Sequence, residues 1–234
     1  RQRVDDPEVA EKLIPKDHGF GTRRVPMETN YYEAFNQDNV KLIDIGENPI
    51  ERITETGIQT KDMHYPFDII IYATGFDAVT GAFDKINIVG ENGQTLREKW
   101  VDGPQTNFGL SVSGFPNMLT LAGPQSGSVA TNFPRGIEEA VNWCSQMLQH
   151  LFDNDISYFN PQLDAESFWG EQVQEMSERI LFGKEQSWFT GYNSNVDRNY
   201  RHKCLIYAGG QIRFRKFLSD EMSNGYPSFV MRSD

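Results

Sequence analysis

The sequence is poor in the residues that would build disulfide, metal or membrane-spanning structure. It has only two cysteines, Cys144 and Cys204, in 234 residues, and its four histidines lie far apart. Two cysteines provide no disulfide framework, so we expect a reducing, cytoplasmic environment. No cluster has the spacing of metal ligands, so we expect no metal site. No apolar run approaches 18 residues, so we expect no membrane span.

Basic residues are also scarce. The formal net charge is −11, whereas nucleic-acid binding depends on neutralising phosphates with Lys and Arg. We therefore expect no nucleic-acid partner. The chain also lacks a signal peptide pattern and does not begin with Met, which suggests that Arg1 is not the natural start.

The hydrophobic pattern predicts a mixture of helices and short strands. Helices are predicted over 7–13, which Pro7 begins, and over 211–224, which Gly225 ends. Helices are also predicted after Pro134 and from Pro161 onward, since apolar residues recur there at helical spacing. Strands are predicted over 40–45, 69–72, 118–122 and in "HKCLIYAG", with hairpins in "IERITETGIQT" and around Asn92-Gly93. The run "IIIY" at 69–72 indicates a strand buried on both faces. Cys144 falls on a helical apolar stripe and is assigned to the core.

Two of these strands end at a glycine, in "IIIYATGF" and "LTLAGPQSGS". Ligands of open α/β sheets bind beyond the carboxyl ends of strands, where glycine lets a backbone approach closely. The second junction leads into a helix whose first turn favours an electron-rich oxygen. Two ordinary tight turns are an equally acceptable explanation of these patterns.

Two further candidates stand outside the strands. Arg23 and Arg24 close "GFGTRR", which lacks the third glycine of a dinucleotide turn, so the pair is either a pair of anion-binding cations or ordinary surface arginine. Trp188 lies in a polar loop, where its ring either closes over a ligand or fills a gap in the core.

Four blocks together resemble the Baeyer–Villiger monooxygenases, which are FAD- and NADPH-dependent. The blocks are "GFGTRRVPMETNYYEAFNQDNVKLIDI", "DIIIYATGFDAVTGAF", "FGLSVSGFPNMLTLAGPQSGSVATNFPRGIEEAVNW" and "SWFTGYNSNV…LIYAGG", in the order that the family shows. The resemblance covers about residues 17–229. Neither of the family's two G-x-G-x-x-G turns is present, so the chain looks like the C-terminal part of a longer enzyme that is inactive alone.

The resemblance implies an α/β fold, the C-terminal part of a flavoprotein with two dinucleotide-binding domains and a helical C-terminal region. It places a linker from the NADPH domain at 1–30. The C-terminal portion of the FAD domain would follow at 31–160, and a region covering substrate and cofactor at 161–234. The missing N-terminal Rossmann regions would be partners of this part.

The implied reaction inserts one atom of O2 beside a ketone carbonyl through a C4a-peroxyflavin and gives an ester or lactone. Arg24 matches the catalytic arginine that stabilises the peroxyflavin and the following oxyanion, and Arg23 matches the residue that contacts the NADPH 2′-phosphate. Trp188 matches the tryptophan that closes over the nicotinamide. The remaining implied cofactor-binding residues are Thr74, Gly75, Gly123, Pro124, Ser126, Asn132 and Phe133. The implied substrate-pocket residues are Gln125, Ser128, Val129 and Phe133.

This sequence departs from its relatives at Gln125, Gly127 and Phe133. At the position of Phe133, several relatives have Met. Two other functions fit the residues: a related flavin monooxygenase that oxidises nitrogen or sulfur, and a non-catalytic binding module if the natural chain starts near Arg1.

Overall fold

A computed structural model describes residues 1–23, 25–127, 131–193 and 204–233 of the chain. The chain forms two compact units. The first consists of Arg1–Phe20 and Arg24–Gly75, and the second of Gly21–Arg23 and Phe76–Asp234.

The first unit contains a short helix and a three-stranded sheet. Helix α1 (Pro7–Lys12) begins where the Asp6 carboxylate accepts hydrogen bonds from the Glu8 and Val9 amides, and Pro7 occupies its first turn. A 3₁₀ turn spans Glu33–Asn36. Strands β1 (Ile50–Thr54), β2 (Gly57–Thr60) and β3 (His64–Pro66) pair antiparallel in that order. The predicted first helix and first hairpin are confirmed.

The second unit is built on helices. They are α2 (Leu96–Lys99), α3 (Phe133–Asp153), α4 (Leu163–Glu178) and α5 (Gln211–Ser223), and they confirm the helices predicted after Pro134, after Pro161 and near the C-terminus. Strands β4 (Tyr158–Pro161) and β5 (Phe229–Arg232) pair antiparallel. Further 3₁₀ turns lie at Phe83–Lys85, Glu91–Gly93, Leu181–Lys184 and Trp188–Thr190.

Helices α3 and α5 pack side by side and run in the same direction. The Trp143 indole donates to the Leu218 carbonyl at 3.0 Å, and one turn earlier Arg215 pairs with Glu139 at 2.5 Å. Trp143 and Cys144 are buried in the main core with Trp169 and Phe214. Cys144 is thus a core residue, as predicted.

Four predicted strands are absent from the described residues. The segments 40–45, 69–72, 118–122 and 204–209 form no ladder, because a strand requires a neighbouring strand and none of these has one among the described residues. At 69–72 the predicted burial is also wrong: Ile69 is 77% exposed and Ile71 is 85% exposed. By contrast, Leu205, Ile206 and Tyr207 are buried without strand pairing.

The predicted hairpin at Asn92-Gly93 is correct only as a turn. Asn92 has φ 58° and Gly93 has φ 78°, and a single antiparallel bridge joins Val89 to Thr95. Thr95 then caps α2, because its hydroxyl accepts from the Glu98 amide while the Glu98 carboxylate accepts from the Thr95 amide. This capping box starts a helix where a return strand was predicted.

Candidate functional site

The turn at 122–127, at the end of "LTLAG", has an unusual backbone that is fixed by buried hydrogen bonds. Ala122 and Gln125 both have a left-handed backbone, with φ of 54° and 67°. The Gln125 amide donates to the Leu205 carbonyl at 2.7 Å, and the Ser126 carbonyl accepts from Tyr207 at 3.2 Å. The segment 205–207, which is not part of a strand, therefore holds the turn in place through these backbone hydrogen bonds.

Three glycines allow the chain to pack closely around this turn. A β-carbon on Gly123 would lie 2.6 Å from the Gly109 carbonyl oxygen, and one on Gly109 would overlap the Ser126 backbone. A β-carbon on Gly127 would lie 2.5 Å from the Phe214 ring in α5. The turn is thus pressed against both a backbone and a helix, which only glycine permits.

Gln125, a predicted pocket residue, is only 4% exposed and its side chain is held inside the unit. Its Oε1 accepts from the Thr106 amide at 3.0 Å, and its carbonyl accepts from the Trp169 indole at 3.2 Å. Here Gln125 fixes the shape of the turn.

Helix α3 begins a few residues after this turn, and few backbone amides in its first turn lack a hydrogen-bond partner among the described residues. Asn132 caps it by accepting from the Arg135 amide at 3.3 Å, and the Asn132 carbonyl accepts from Gly136 at 2.9 Å. Pro134 has no N–H, so at this helix start the Phe133 amide is the one without a hydrogen-bond partner among the described residues. The first turn has no acidic residue, and the Phe133 side chain is 48% exposed. The helix start presents one amide and the positive end of a 21-residue helix.

Trp188 is partly buried in a short helical turn. The Ser187 hydroxyl and Thr190 cap this turn reciprocally, and the Trp188 ring lies 3.9 Å from the Phe189 ring. Phe189 belongs to the main core. Farther along, the Asn193 amide donates to the Asp77 carboxylate at 3.3 Å, which links this segment to the residue after "ATGF".

The other predicted site residues differ in how far the structure describes them. Arg23 is exposed, as are Thr74 and Gly75. Gly123, Pro124 and Ser126 are buried in the turn. Arg24, Ser128 and Val129 lie outside the described residues.

Burial makes both cysteines poor nucleophiles. Burial raises the pKa of the Cys144 thiol to about 11, and it raises the pKa of Cys204 as well. In the part of the chain that the structure describes, no group of three His, Cys, Asp or Glu residues could hold a metal ion. No helix there is both long and apolar enough to cross a bilayer.

Several residues that shape the turn were not predicted from the sequence. Thr106 binds Gln125, Gly109 packs against Ser126, and the Trp169 indole donates to the Gln125 carbonyl. Thr106 and Gly109 lie about 20 residues upstream, in a segment without periodicity, so no local signal identifies them.

Known proteins resemble this chain along almost its whole length. A monooxygenase of Pseudomonas putida named for 2-oxo-Δ3-4,5,5-trimethylcyclopentenylacetyl-CoA is 44% identical over 99% of this chain. The methyl acetate-forming acetone monooxygenase of Gordonia sp. strain TY-5 is 40% identical over 99% of it. The crystal structure of OTEMO with FAD and NADP superposes with a TM-score of 0.89 at 44% identity, again over 99% of this chain.

More distant relatives, at 34% identity, include a Baeyer–Villiger monooxygenase of Pseudooceanicola batsensis and the phenazine N-monooxygenase PhzNO1 of Lysobacter antibioticus. They match 98% and 100% of this chain, and it spans 41% and 42% of their lengths. The chain likewise spans 42% of the P. putida relative and of the OTEMO chain. No protein-family model matches the chain.

The chain is therefore related along its whole length to flavin-dependent monooxygenases. Its relatives along the whole length are Baeyer–Villiger monooxygenases, and it matches their C-terminal part, which confirms both the resemblance and the fold class drawn from the sequence.

Proposed function

We propose that this chain is part of a FAD- and NADPH-dependent monooxygenase that inserts one atom of O2 next to a ketone carbonyl, giving an ester or lactone. The observation that carries the proposal is the match to monooxygenases over 99% of the chain, including the crystal structure of OTEMO in complex with FAD and NADP. Since the sequence contains no G-x-G-x-x-G turn, we expect the 234 residues to need the remaining regions of the enzyme for activity.

The described residues fit a flat, electron-rich group at the start of α3. No acidic side chain lies in its first turn, and the Phe133 amide, which has no partner among the described residues, offers a donor beside the glycine-rich turn. A bound flavin would supply the chemistry that activates O2. Gly123, Pro124 and Ser126 would hold the backbone beside it, and Asn132 would fix the helix start.

The two arginines receive separate roles in this proposal. Arg24 stabilises negative charge that develops on oxygen during the reaction, and Arg23 binds the 2′-phosphate of NADPH. A guanidinium group keeps its charge at any working pH and binds phosphate with two parallel hydrogen bonds. Arg23 is exposed, as a residue that meets a diffusible cofactor must be.

Trp188, Thr74 and Gly75 complete the cofactor contacts. The Trp188 ring keeps one face on Phe189, which leaves an aromatic surface able to cover a nicotinamide. Thr74 and Gly75 are exposed after the "IIIYA" run, and a β-carbon on Gly75 would meet no atom within 4 Å. Open space on that side allows a cofactor to approach the backbone.

The substrate pocket is assigned to Gln125, Ser128, Val129 and Phe133. Gln125 acts indirectly by fixing the shape of the turn, because its side chain accepts a hydrogen bond from the Thr106 amide. Phe133, half exposed at the helix start, contacts the substrate directly.

The relative at 34% identity that is named as a phenazine N-monooxygenase favours oxidation of nitrogen as the second candidate. The deciding experiment incubates an active enzyme that contains this chain with NADPH, O2 and either a ketone or a tertiary amine. The proposal expects an ester from the ketone. Formation of an N-oxide alone would favour the second candidate, whereas absence of flavin binding would favour a binding module.

A further inference from the structure

A small cleft between α4 and α5 has a chemistry that the proposed reaction does not use. Its volume is about 190 Å³. It is lined by the aromatic residues Phe108, Phe168 and Phe217, the carboxylate residues Asp220 and Glu221, and the smaller residues Asn107, Ala165, Asn224, Pro227 and Ser228.

Glu221 places a buried carboxylate in this cleft. The residue is 7% exposed. Its Oε1 accepts hydrogen bonds from the Ser228 amide at 2.8 Å and from the Ser228 hydroxyl at 2.5 Å. Its Oε2 accepts no hydrogen bond from any described residue. One carboxylate oxygen is therefore held in place while the other remains available.

Asn107 adds a second acceptor. It is 1% exposed, and its amide nitrogen donates to the Ser228 hydroxyl at 3.0 Å. This bond fixes the orientation of the amide, yet Oδ1 is buried without a partner in the described part of the chain. An unsatisfied buried acceptor is costly, and a cation bound in the cleft would offset part of that cost through its charge.

The nearby cations do not neutralise Glu221. Lys216 binds the neighbouring Asp220, at 2.7 Å from Oδ2. Arg213 binds Gln172 at 3.1 Å and lies 5.8 Å from the centre of the Phe217 ring. The Asn224 amide donates to the Asp220 carbonyl at 2.7 Å. After these pairings, the cleft offers one negative charge and acceptor atoms.

Aromatic rings complete the cleft. Phe108 is 6% exposed, whereas Phe168 is 50% exposed and forms an outer wall. Aromatic faces attract cations, and they do so more strongly when water is excluded. A carboxylate, an unpaired amide oxygen and phenyl rings in one small cleft are complementary to an ammonium group on a short apolar stem.

We propose that this cleft binds a small free alkylammonium ion. A water molecule occupies about 30 Å³ of liquid, so a volume of about 190 Å³ holds roughly six non-hydrogen atoms. The ammonium group contacts Glu221 Oε2, and the alkyl stem lies against Phe168 and Phe217.

Titration calorimetry of the purified protein with n-butylammonium chloride tests the proposal, with n-butanol as the neutral probe of matched size and NaCl as the ionic control. The expected result is saturable binding of n-butylammonium and none of n-butanol. Glu221→Gln removes the charge and keeps acceptors for Ser228, so it should weaken binding at least tenfold. Asp164→Asn, an acid on α4 outside the cleft, should leave binding unchanged.

Phe168→Ala keeps the test decisive if Glu221→Gln does not fold, because Phe168 is half exposed and its loss spares the core. We expect it to weaken n-butylammonium binding several-fold. Equal affinity for n-butanol, or n-butylammonium binding that survives both substitutions unchanged, would overturn the proposal.

Discussion

At the scale of single residues, we propose different roles for the two neighbouring arginines, Arg23 and Arg24. In an active enzyme that contains this chain, Arg24→Ala should lower the rate of oxygenation about 100- to 1,000-fold, since a lost donor to developing oxyanion charge costs about 3–4 kcal/mol. Flavin should remain bound, which its absorbance spectrum measures.

Arg23→Ala is the matched control for this change, because it removes the same group one residue away. It should raise the KM for NADPH far more than it lowers kcat, while the ester is still formed. An Arg24→Ala enzyme with unchanged ester yield would remove Arg24 from the reaction.

A second prediction concerns the glycines that support the turn at 122–127. Gly109 and Gly93 have similar left-handed backbones, with φ of 72° and 78°, but only Gly109 has no room for a β-carbon. Gly93→Ala should lower the free energy of unfolding by about 1–2 kcal/mol through backbone strain alone. Gly109→Ala should cost at least about 2 kcal/mol more because of overlap with Ser126.

Urea denaturation of the two glycine variants beside the unchanged protein measures this difference. Equal losses would mean that strain alone determines both, and that the approach of Gly109 to Ser126 is not tight in solution.

Sequence patterns identified the turn at 122–127 but not the tertiary contacts that fix its conformation. Gln125 could be predicted as a candidate because it lies in "GPQSG", yet its hydrogen bonds to Thr106 and Leu205 depend on contacts across 19 and 80 residues. Such pairings follow from tertiary packing and leave no periodic signal. Arg24, Ser128 and Val129 lie outside the described residues, so their roles stay predictions.

At the scale of elements, a buried ion pair connects α2 to α4. Lys99 lies 2.9 Å from Glu166, whose side chain is fully buried, while the Glu166 carboxylate also accepts from the Ser113 amide at 2.6 Å. Burial raises the pKa of Glu166, against the opposing effect of Lys99. Lys99→Met would leave this carboxylate without its cation, so we expect the free energy of unfolding to fall by roughly 3 kcal/mol at pH 7.

Lys216→Met provides the control, since its partner Asp220 is exposed and such pairs contribute at most about 0.5 kcal/mol on a helix. Because the pKa of Glu166 is raised in the folded state, the folded state binds the carboxyl proton more tightly than the unfolded state does. The loss in Lys99→Met should therefore shrink as pH falls toward the ordinary carboxyl range. Chemical denaturation across pH measures it, and a loss independent of pH would contradict this account of the pair.

Helices were predicted better than strands for a physical reason. The 21 residues of α3 carry their own hydrogen bonds and a strong apolar stripe, whereas a strand exists only through a partner. The segments at 69–72 and 118–122 have strand composition but no neighbouring strand among the described residues. Strands β4 and β5, only four residues each and separated by α4 and α5, gave no local signal.

At the scale of the whole molecule, the exposed run at 69–72 indicates what the rest of the enzyme contributes. Ile69, Ile71 and Tyr72 are 77%, 85% and 68% exposed, and the chain spans 42% of the length of its P. putida relative. We expect their backbone amides to exchange rapidly in the 234-residue chain and to be protected in an enzyme that contains the preceding regions. Hydrogen exchange read by mass spectrometry distinguishes the two, with β2 as the internal reference.

Equal exchange at 69–72 in both proteins would show that this run is not covered by the remaining regions. Slow exchange in the chain alone would show that it already has a partner in solution.

The most direct test of the central claim is product analysis with labelled oxygen. An active enzyme containing this chain is supplied with FAD, NADPH, ¹⁸O2 and a ketone, and its products are identified by mass spectrometry. The account predicts an ester or lactone that carries one labelled oxygen atom and appears only when NADPH is present. NADPH consumption with no oxygenated ketone product, or a product formed from an amine alone, would contradict it.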